Sequence, residues 1–202
     1  MSDDFVYVDE QVPGIRWDAK YATWDNFTGR PVAGYHANRM IGTIALCAAL
    51  ARARDTAAGQ GFGLLLWDAY RPQRAVDDFL SWSKQPEDGL RKSRHYPRID
   101  RAQMFRLGYV AARSGHSRGS TVDLKLYRLT TGELVDMGGD HDLMDTISHH
   151  GAAGILEPAD GNRRRLRSIM EAAGFTAYAE EWWHYTLQTE PHPDTYFDFP
   201  IT

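Results

Sequence analysis

Four residues in two short segments hold the clearest chemistry in this chain. His116 and Asp123 lie in Ser114-Gly-His-Ser-Arg-Gly-Ser-Thr-Val-Asp123, and Glu181 and His184 in Glu181-Trp-Trp-His184. Two imidazoles and one carboxylate are a ligand set of catalytic zinc, and they leave one coordination position for water. Glu181, three residues before a ligand, is placed to take a proton from that water. Neither segment is specific alone. Together they point to a zinc hydrolase.

Elements must bring the two segments together. Ser120 to Tyr127 alternates, with Val122, Leu124 and Leu126 on one face and Thr121, Asp123 and Lys125 on the other, so Asp123 points away from its strand's apolar face. Trp182 to Leu187 reads as a second strand. A side-chain period of two would put Glu181 and His184 on opposite faces. Either the strand starts after Glu181 or a bulge re-aims it. Gly63 to Trp67 is an apolar run and predicts a buried strand. After it comes Asp68-Ala-Tyr-Arg-Pro72, with Pro72 suited to the first turn of a helix carrying Ala75, Val76, Phe79 and Leu80. A residue before proline avoids the α region, so Arg71 is expected extended at a strand-to-helix corner, its side chain free to enter a cleft. Pairing with Asp68 is the plainer alternative for Arg71. Asp123 could likewise cap the Ser117–Ser120 turn, and Glu181 could be a solvated strand-end charge.

The remaining pattern predicts a short β run over Phe5 to Val8. A helix is expected from Asn38 to about Ala58, with Met40, Ile41, Ile44, Ala45, Ala48 and Ala51 on its apolar side. Gly59 and Gly61 end it. Thr131-Gly132 suggests a turn. Asn162 is the expected N-cap of a helix through Ala173, with Leu166, Ile169, Met170 and Ala173 as its stripe and Gly174 just beyond it. Strands and helices mix without βαβ alternation, which favours an α+β single domain with a central, mostly antiparallel sheet and flanking helices.

Bulk properties narrow the class. A chain of 202 residues with 43% hydrophobic and 25% charged residues suits one globular domain, residues 1–202. A net charge of −4 gives no electrostatic reason to expect nucleic acid. The Arg163-Arg-Arg165 run with Arg167 reads as a solvated helix face. Cys47 has no cysteine partner and reads as a small core residue. No stretch approaches the length of a membrane helix, and no secretory signal is visible, so the cytoplasm is the expectation. Of the eight histidines, His36, His95 and His192 read as ordinary hydrogen-bonded residues. His141, His149 and His150, in a loop-rich stretch, are read the same way. Trp24, Trp67, Trp82, Trp182 and Trp183 read as core. Gly59-Gln-Gly61-Phe-Gly63 follows a helix and precedes a strand, the reverse of a nucleotide fingerprint. There is no His-Glu-x-x-His, no Gly-x-Ser-x-Gly and no P-loop.

With these residues in place, the chain resembles the VanX-type D-Ala-D-Ala dipeptidases of glycopeptide-resistance systems. These belong to a wider zinc peptidase group with Ser-x-His-x-x-Gly…Asp and a later Glu-x-x-His. The resemblance extends through Arg16 to Gly29, Trp67 to Pro72, Asn162 to Met170 and Tyr196 to Pro200, and so covers essentially the whole chain. It departs at Gly115, where serine would be expected. The resemblance implies a hedgehog/D-Ala-D-Ala-peptidase-like fold and one zinc ion held by His116, Asp123 and His184. It implies Glu181 as general base and acid, and Arg71 as the stabiliser of the oxyanion. It further implies Tyr21 and Asp142 at the substrate ammonium and Ser114 near its carboxylate. The implied activity is hydrolysis of D-Ala-D-Ala in the cytoplasm, without nucleic acid or membrane partners, in a homodimer, so that a depsipeptide precursor replaces the normal one in the cell wall. Two other readings stay open: a related peptidoglycan D,D-carboxypeptidase or endopeptidase, and a non-catalytic zinc-containing binding module such as the hedgehog signalling domain.

Overall fold

A computed structural model describes residues 3–202. In chain order the elements are β1 (Phe5–Tyr7), α1 (Val8–Gln11), β2 (Arg16–Trp17), β3 (Ile41–Thr43), α2 (Ile44–Gly59), β4 (Phe62–Asp68), α3 (Gln73–Ser83), α4 (Lys92–His95), β5 (Thr121–Arg128), α5 (Ala159–Ala172), β6 (Phe175–Ala177) and β7 (His184–Leu187). β1 and β3 form an antiparallel pair. The main sheet runs β2-β4-β5-β7-β6, and only β2 and β4 are parallel. The architecture is therefore α+β with a mostly antiparallel sheet. Among the described residues, no helix is long and apolar enough to cross a membrane.

The alternation of β5 sets the layers. Val122, Leu124 and Leu126 are fully buried with Leu64 and Leu66 of β4, and α2 and α5 add Leu46, Leu50, Ala53, Leu166, Ile169 and Met170 to the same core. Each such leucine or isoleucine contributes about 1.5–3 kcal/mol by leaving water. A second cluster is aromatic. It packs Tyr21, Phe27, Tyr35, Phe79, Trp82 and Tyr96 around α3.

Several sequence expectations shift. The long helix begins at Ile44, because Ile41–Thr43 pairs with β1 and Thr43 caps the helix by accepting from Leu46 N at 3.1 Å. Its buried face is Leu46, Cys47, Ala49, Leu50, Ala53 and Ala57, whereas Ile44 is 54% exposed. An alanine-rich helix has little contrast between its faces, so the pattern misplaced the stripe. α5 starts after Pro158, not at Asn162. The Asn162 amide instead donates to Asp136 O at 2.8 Å and ties the helix to the chain before the site. Arg163 does not decorate a solvated face. It is buried and donates to the carbonyls of Met137, Ile147 and His149. Burial pushes its guanidinium down to about 10. Trp24 is 70% exposed, while Trp67, Trp82, Trp182 and Trp183 are buried.

Candidate active site

The metal-type residues meet because β5 and β7 are neighbours. Asp123 and His184 stand directly opposite in register, two positions from the Thr121–Thr186 pair, whose hydroxyls are 3.0 Å apart. β7 begins at His184, so Glu181 precedes the strand. His184 N donates to Glu181 O at 3.2 Å, and this turn brings Glu181 Oε2 to 3.4 Å from His184 Nδ1. The alternation problem is thus resolved by where the strand starts.

His116 arrives on a 3₁₀ turn, Gly115–Arg118. Ser114 caps the turn by accepting from His116 N, and Gly119 closes it at φ 80°. A side chain at Gly119 would also strike Phe5 at 2.2 Å, so both conformation and space require glycine. At Gly115 a Cβ would lie 2.9 Å from Thr121 Oγ1, a close fit that glycine relieves. His116 Nδ1 donates to Ala69 O at 2.7 Å. A carbonyl can only accept, so this bond fixes the tautomer and leaves the Nε2 lone pair for the cavity. Nε2 lies 3.3 Å from His184 Nδ1 and 3.3 Å from Asp123 Oδ2.

Donor atoms of His116, Asp123 and His184 all lie within 4.8 Å of one another. Asp123 Oδ1 is buried, lies 3.1 Å from His184 Nδ1, and makes no hydrogen bond among the described residues. A cation among three such donors would satisfy that oxygen, and the two-nitrogen, one-oxygen set suits zinc. Burial opposes the charge on Asp123, but the imidazoles of His116, His141 and His184 outweigh it and hold the carboxyl well below its usual range.

The strand-to-helix corner expected around Arg71 is present, but β4 ends at Asp68 and Pro72 is the extended N-cap of α3 instead of a residue of its first turn, the helix starting at Gln73. The alternative partner is real as well. Arg71 Nε and Nη2 lie 2.9 and 2.8 Å from Asp68 Oδ2, and Nη2 is 3.7 Å from Asp123 Oδ2. The sequence reading offered Asp68 only as a partner for Arg71 and missed its place beside His116. A bulge at Trp67 shifts the register from Leu66↔Leu124 to Asp68↔Asp123 and moves Asp68 off the leucine face of its strand. Asp68 accepts from Tyr35 Oη at 2.6 Å and lies 3.4 Å from His116 Nδ1. The Arg71 guanidinium also sits over the Tyr21 and Phe79 rings, at 5.0 and 5.2 Å.

Tyr21, Arg71, Ser114, His116, Asp123, Asp142, Glu181 and His184 line one cavity of about 230 Å³. That is below the roughly 300–1,000 Å³ of drug-sized ligand pockets and suits a small substrate. Tyr21 donates to both Asp142 oxygens, at 2.9 and 3.1 Å. Asp142 has a left-handed backbone at φ 55°, uncommon for a residue with a side chain and a frequent mark of a functional position. Glu181 keeps 28% of its side chain exposed to the cavity. Burial, aided by Asp123 and Asp142 and opposed by His184 and Arg71, raises its carboxyl to about 7. Two further residues escaped the sequence reading. His141, assigned to an ordinary loop role, stands beside Asp123 and Asp142. Arg113 lines the cavity, and among the described residues its guanidinium has no acidic partner, only the Tyr196 ring at 4.9 Å. A composition-neutral loop gave no signal for either.

Fold and site define a class: an α+β protein with a His–Asp–His cluster, two of its members buried, beside a carboxylate and an arginine in one small cavity. Comparison with known proteins narrows it. The family model described as D-ala-D-ala dipeptidase matches residues 1–202. The chain is 72% identical to the D-alanyl-D-alanine dipeptidase of Streptomyces coelicolor and 60% identical to that of Enterococcus faecium, over 100% of both chains in each case. It is 34% identical to the one of Escherichia coli, over 93% of this chain and 87% of that one. A crystal structure of the vancomycin-resistance D,D-pentapeptidase VanY with Zn(II) is 18% identical over 76% of each chain, with a TM-score of 0.45. The chain belongs to the D-ala-D-ala dipeptidase family.

Proposed function

We propose that this protein is a zinc-dependent dipeptidase that hydrolyses D-Ala-D-Ala to two D-alanines. The observation that carries the reading is the cavity itself, which gathers the His116–Asp123–His184 cluster, Glu181 and Arg71 around a space for a small ligand. The shared name of the full-length relatives supports the substrate.

His116 Nε2, Asp123 and His184 Nδ1 would hold the ion, with Ala69 O fixing the first imidazole. When bound, zinc supplies Lewis acidity and brings the pKa of water toward about 7. Glu181 takes a proton as the water oxygen bonds to the amide carbon. Its carboxyl, at about 7 in the cation-free site, is pulled down by a dication and so becomes a base at neutral pH. The Arg71 guanidinium, held by Asp68, faces the oxyanion that forms. The carbon–nitrogen bond then breaks, and Glu181 returns its proton to the leaving amine. Asp142, oriented by Tyr21, receives the substrate ammonium. Ser114 lies toward the carboxylate, and Arg113 next to it, without an acidic partner among the described residues, offers the countercharge.

Residues 1–202 act as one catalytic unit in this reading, because the cavity wall draws on segments from Tyr21 to His184. The setting is the cytoplasm, where removal of D-Ala-D-Ala lets a depsipeptide precursor enter the peptidoglycan and gives vancomycin resistance. The working form is a homodimer by resemblance. The test is free alanine release from D-Ala-D-Ala, L-Ala-L-Ala and a peptidoglycan pentapeptide. Cleavage of D-Ala-D-Ala alone is expected. Cleavage of the pentapeptide makes the protein a carboxypeptidase, and zinc binding without any cleavage makes it a binding module.

A further inference from the structure

The geometry points to His141 as a positioning residue that ties the Asp123 carboxylate, inside the ligand cluster, to the Asp142 carboxylate on the facing wall. The inference rests on the metal reading above. His141 Nε2 lies 3.4 Å from Asp123 Oδ2, and its Nδ1 lies 3.5 Å from Asp142 Oδ2. A buried histidine is ordinarily satisfied by a backbone carbonyl or water. Here both ring nitrogens face side-chain carboxylates, and both carboxylates line the cavity. The ring cannot drift. It is 7% exposed, lies on Trp67 at 4.7 Å and 32°, and meets Trp183 edge-on at 5.5 Å and 75°.

Two consequences follow from this placement. The Oδ2 of Asp123 is approached by His116, Arg71 and His141, whereas Oδ1 makes no hydrogen bond among the described residues and faces the fellow ligand atom His184 Nδ1 at 3.1 Å. His141 thereby helps decide which oxygen remains for the ion, as partners of ligating carboxylates do. On its other side the ring precedes Asp142 in sequence and contacts its side chain, so it also fixes the carboxylate that Tyr21 orients. One imidazole spans the two walls, and a change at either is felt at the other.

The test separates the two nitrogens. The amide nitrogen of His141→Gln reaches the place of Nε2, and that of His141→Asn the place of Nδ1. Zinc affinity is measured by competition with a chromophoric chelator, and D-Ala-D-Ala affinity by calorimetry on the zinc-free protein. H141N is expected to lose about 10–100-fold in zinc affinity, the usual effect of removing a partner of a ligand, and to keep its dipeptide affinity. H141Q is expected to keep zinc and bind the dipeptide more weakly. Equal losses in both variants, or none, overturn the inference. The ring ¹⁵N signals of His141 in the wild-type protein give a readout that needs no variant. They should move on adding zinc and, in the zinc-free protein, on adding D-Ala-D-Ala. Signals indifferent to either overturn it. If the wild type binds zinc but no D-Ala-D-Ala, the proposed substrate fails while the zinc arm still decides the role toward Asp123.

Discussion

The two walls of the cavity are built differently. The ligand wall stands on the sheet: Asp123 and His184 are register partners on β5 and β7, backed by the aliphatic core of leucines and helices. The facing wall is made of loops over the aromatic cluster, with Tyr21 on a 3₁₀ turn and Asp142 in a left-handed conformation. The sheet wall takes its geometry from backbone pairing. The loop wall takes it from buried side chains bonded to backbone. Asn26 donates to the carbonyls of Lys20, Thr23 and Arg30 around Tyr21, and Arg163 clamps the chain on both sides of Asp142. Two of the three ligand residues thus sit on paired strands and the chemical groups around them at the ends of regular elements, while recognition sits on loops held by polar staples.

Breaking each wall should therefore give a different kinetic signature. The largest effect is expected from Glu181→Gln, which removes the proton acceptor. Turnover should fall by about 10²–10⁴ with zinc content unchanged, measured by steady-state kinetics and metal analysis. Arg71→Ala comes next, with a loss of about 10²–10³ in kcat. It also leaves the buried Asp68 without its cation, with only the Tyr35 hydroxyl bonded to it among the described residues, so urea unfolding should show a cost of about 3–5 kcal/mol. Adding Asp68→Asn should restore much of the stability and none of the turnover, whereas recovery of turnover would remove Arg71 from the chemistry. On the loop wall, Asp142→Asn should raise KM by roughly 10–100-fold with a smaller change in kcat, because it loses one charge-assisted contact. A pure kcat effect there would erase the distinction between the walls.

The smallest effect at neutral pH concerns His95, beneath the loop wall. It is 3% exposed, its Nδ1 donates to Asp142 O, and its Nε2 has no hydrogen-bond partner among the described residues. Burial lowers its imidazole to about 4. An unfolded chain binds that proton near pH 6.5 and the folded one does not, so stability is intact above pH 6.5 and falls as the pH drops toward 4. The loss reaches about 3 kcal/mol. His95→Gln should flatten this acid limb in thermal unfolding, and an unchanged limb would mean that other groups set it.

How much of this was legible follows from the same division. The spacing around His116 and Asp123, the alternation of β5 and the proline after Arg71 placed the sheet wall and the Arg71 corner. The bulge at Trp67 was not legible, since a continuous apolar run carries no register, and with it the turn of Asp68 toward His116 was hidden, although its pairing with Arg71 was foreseen. His141 was hidden because its partners are distant in sequence and its own loop has no periodicity. The long helix was foreseen from Asn38 instead of Ile44 and with the wrong face because alanine fits either side, and Asn162 looked like a cap because its type suits both a cap and a loop tie. The roles of Tyr21, Ser114 and Asp142 came from the resemblance alone, for no local pattern marks a loop residue as facing a ligand.

The most direct test of the account is zinc content and D-alanine release measured on one preparation of the wild-type protein and of His184→Ala. One zinc per chain with release of D-alanine from D-Ala-D-Ala in the wild type, and loss of both in the variant, is the predicted result. Undiminished release from the zinc-free variant would contradict it.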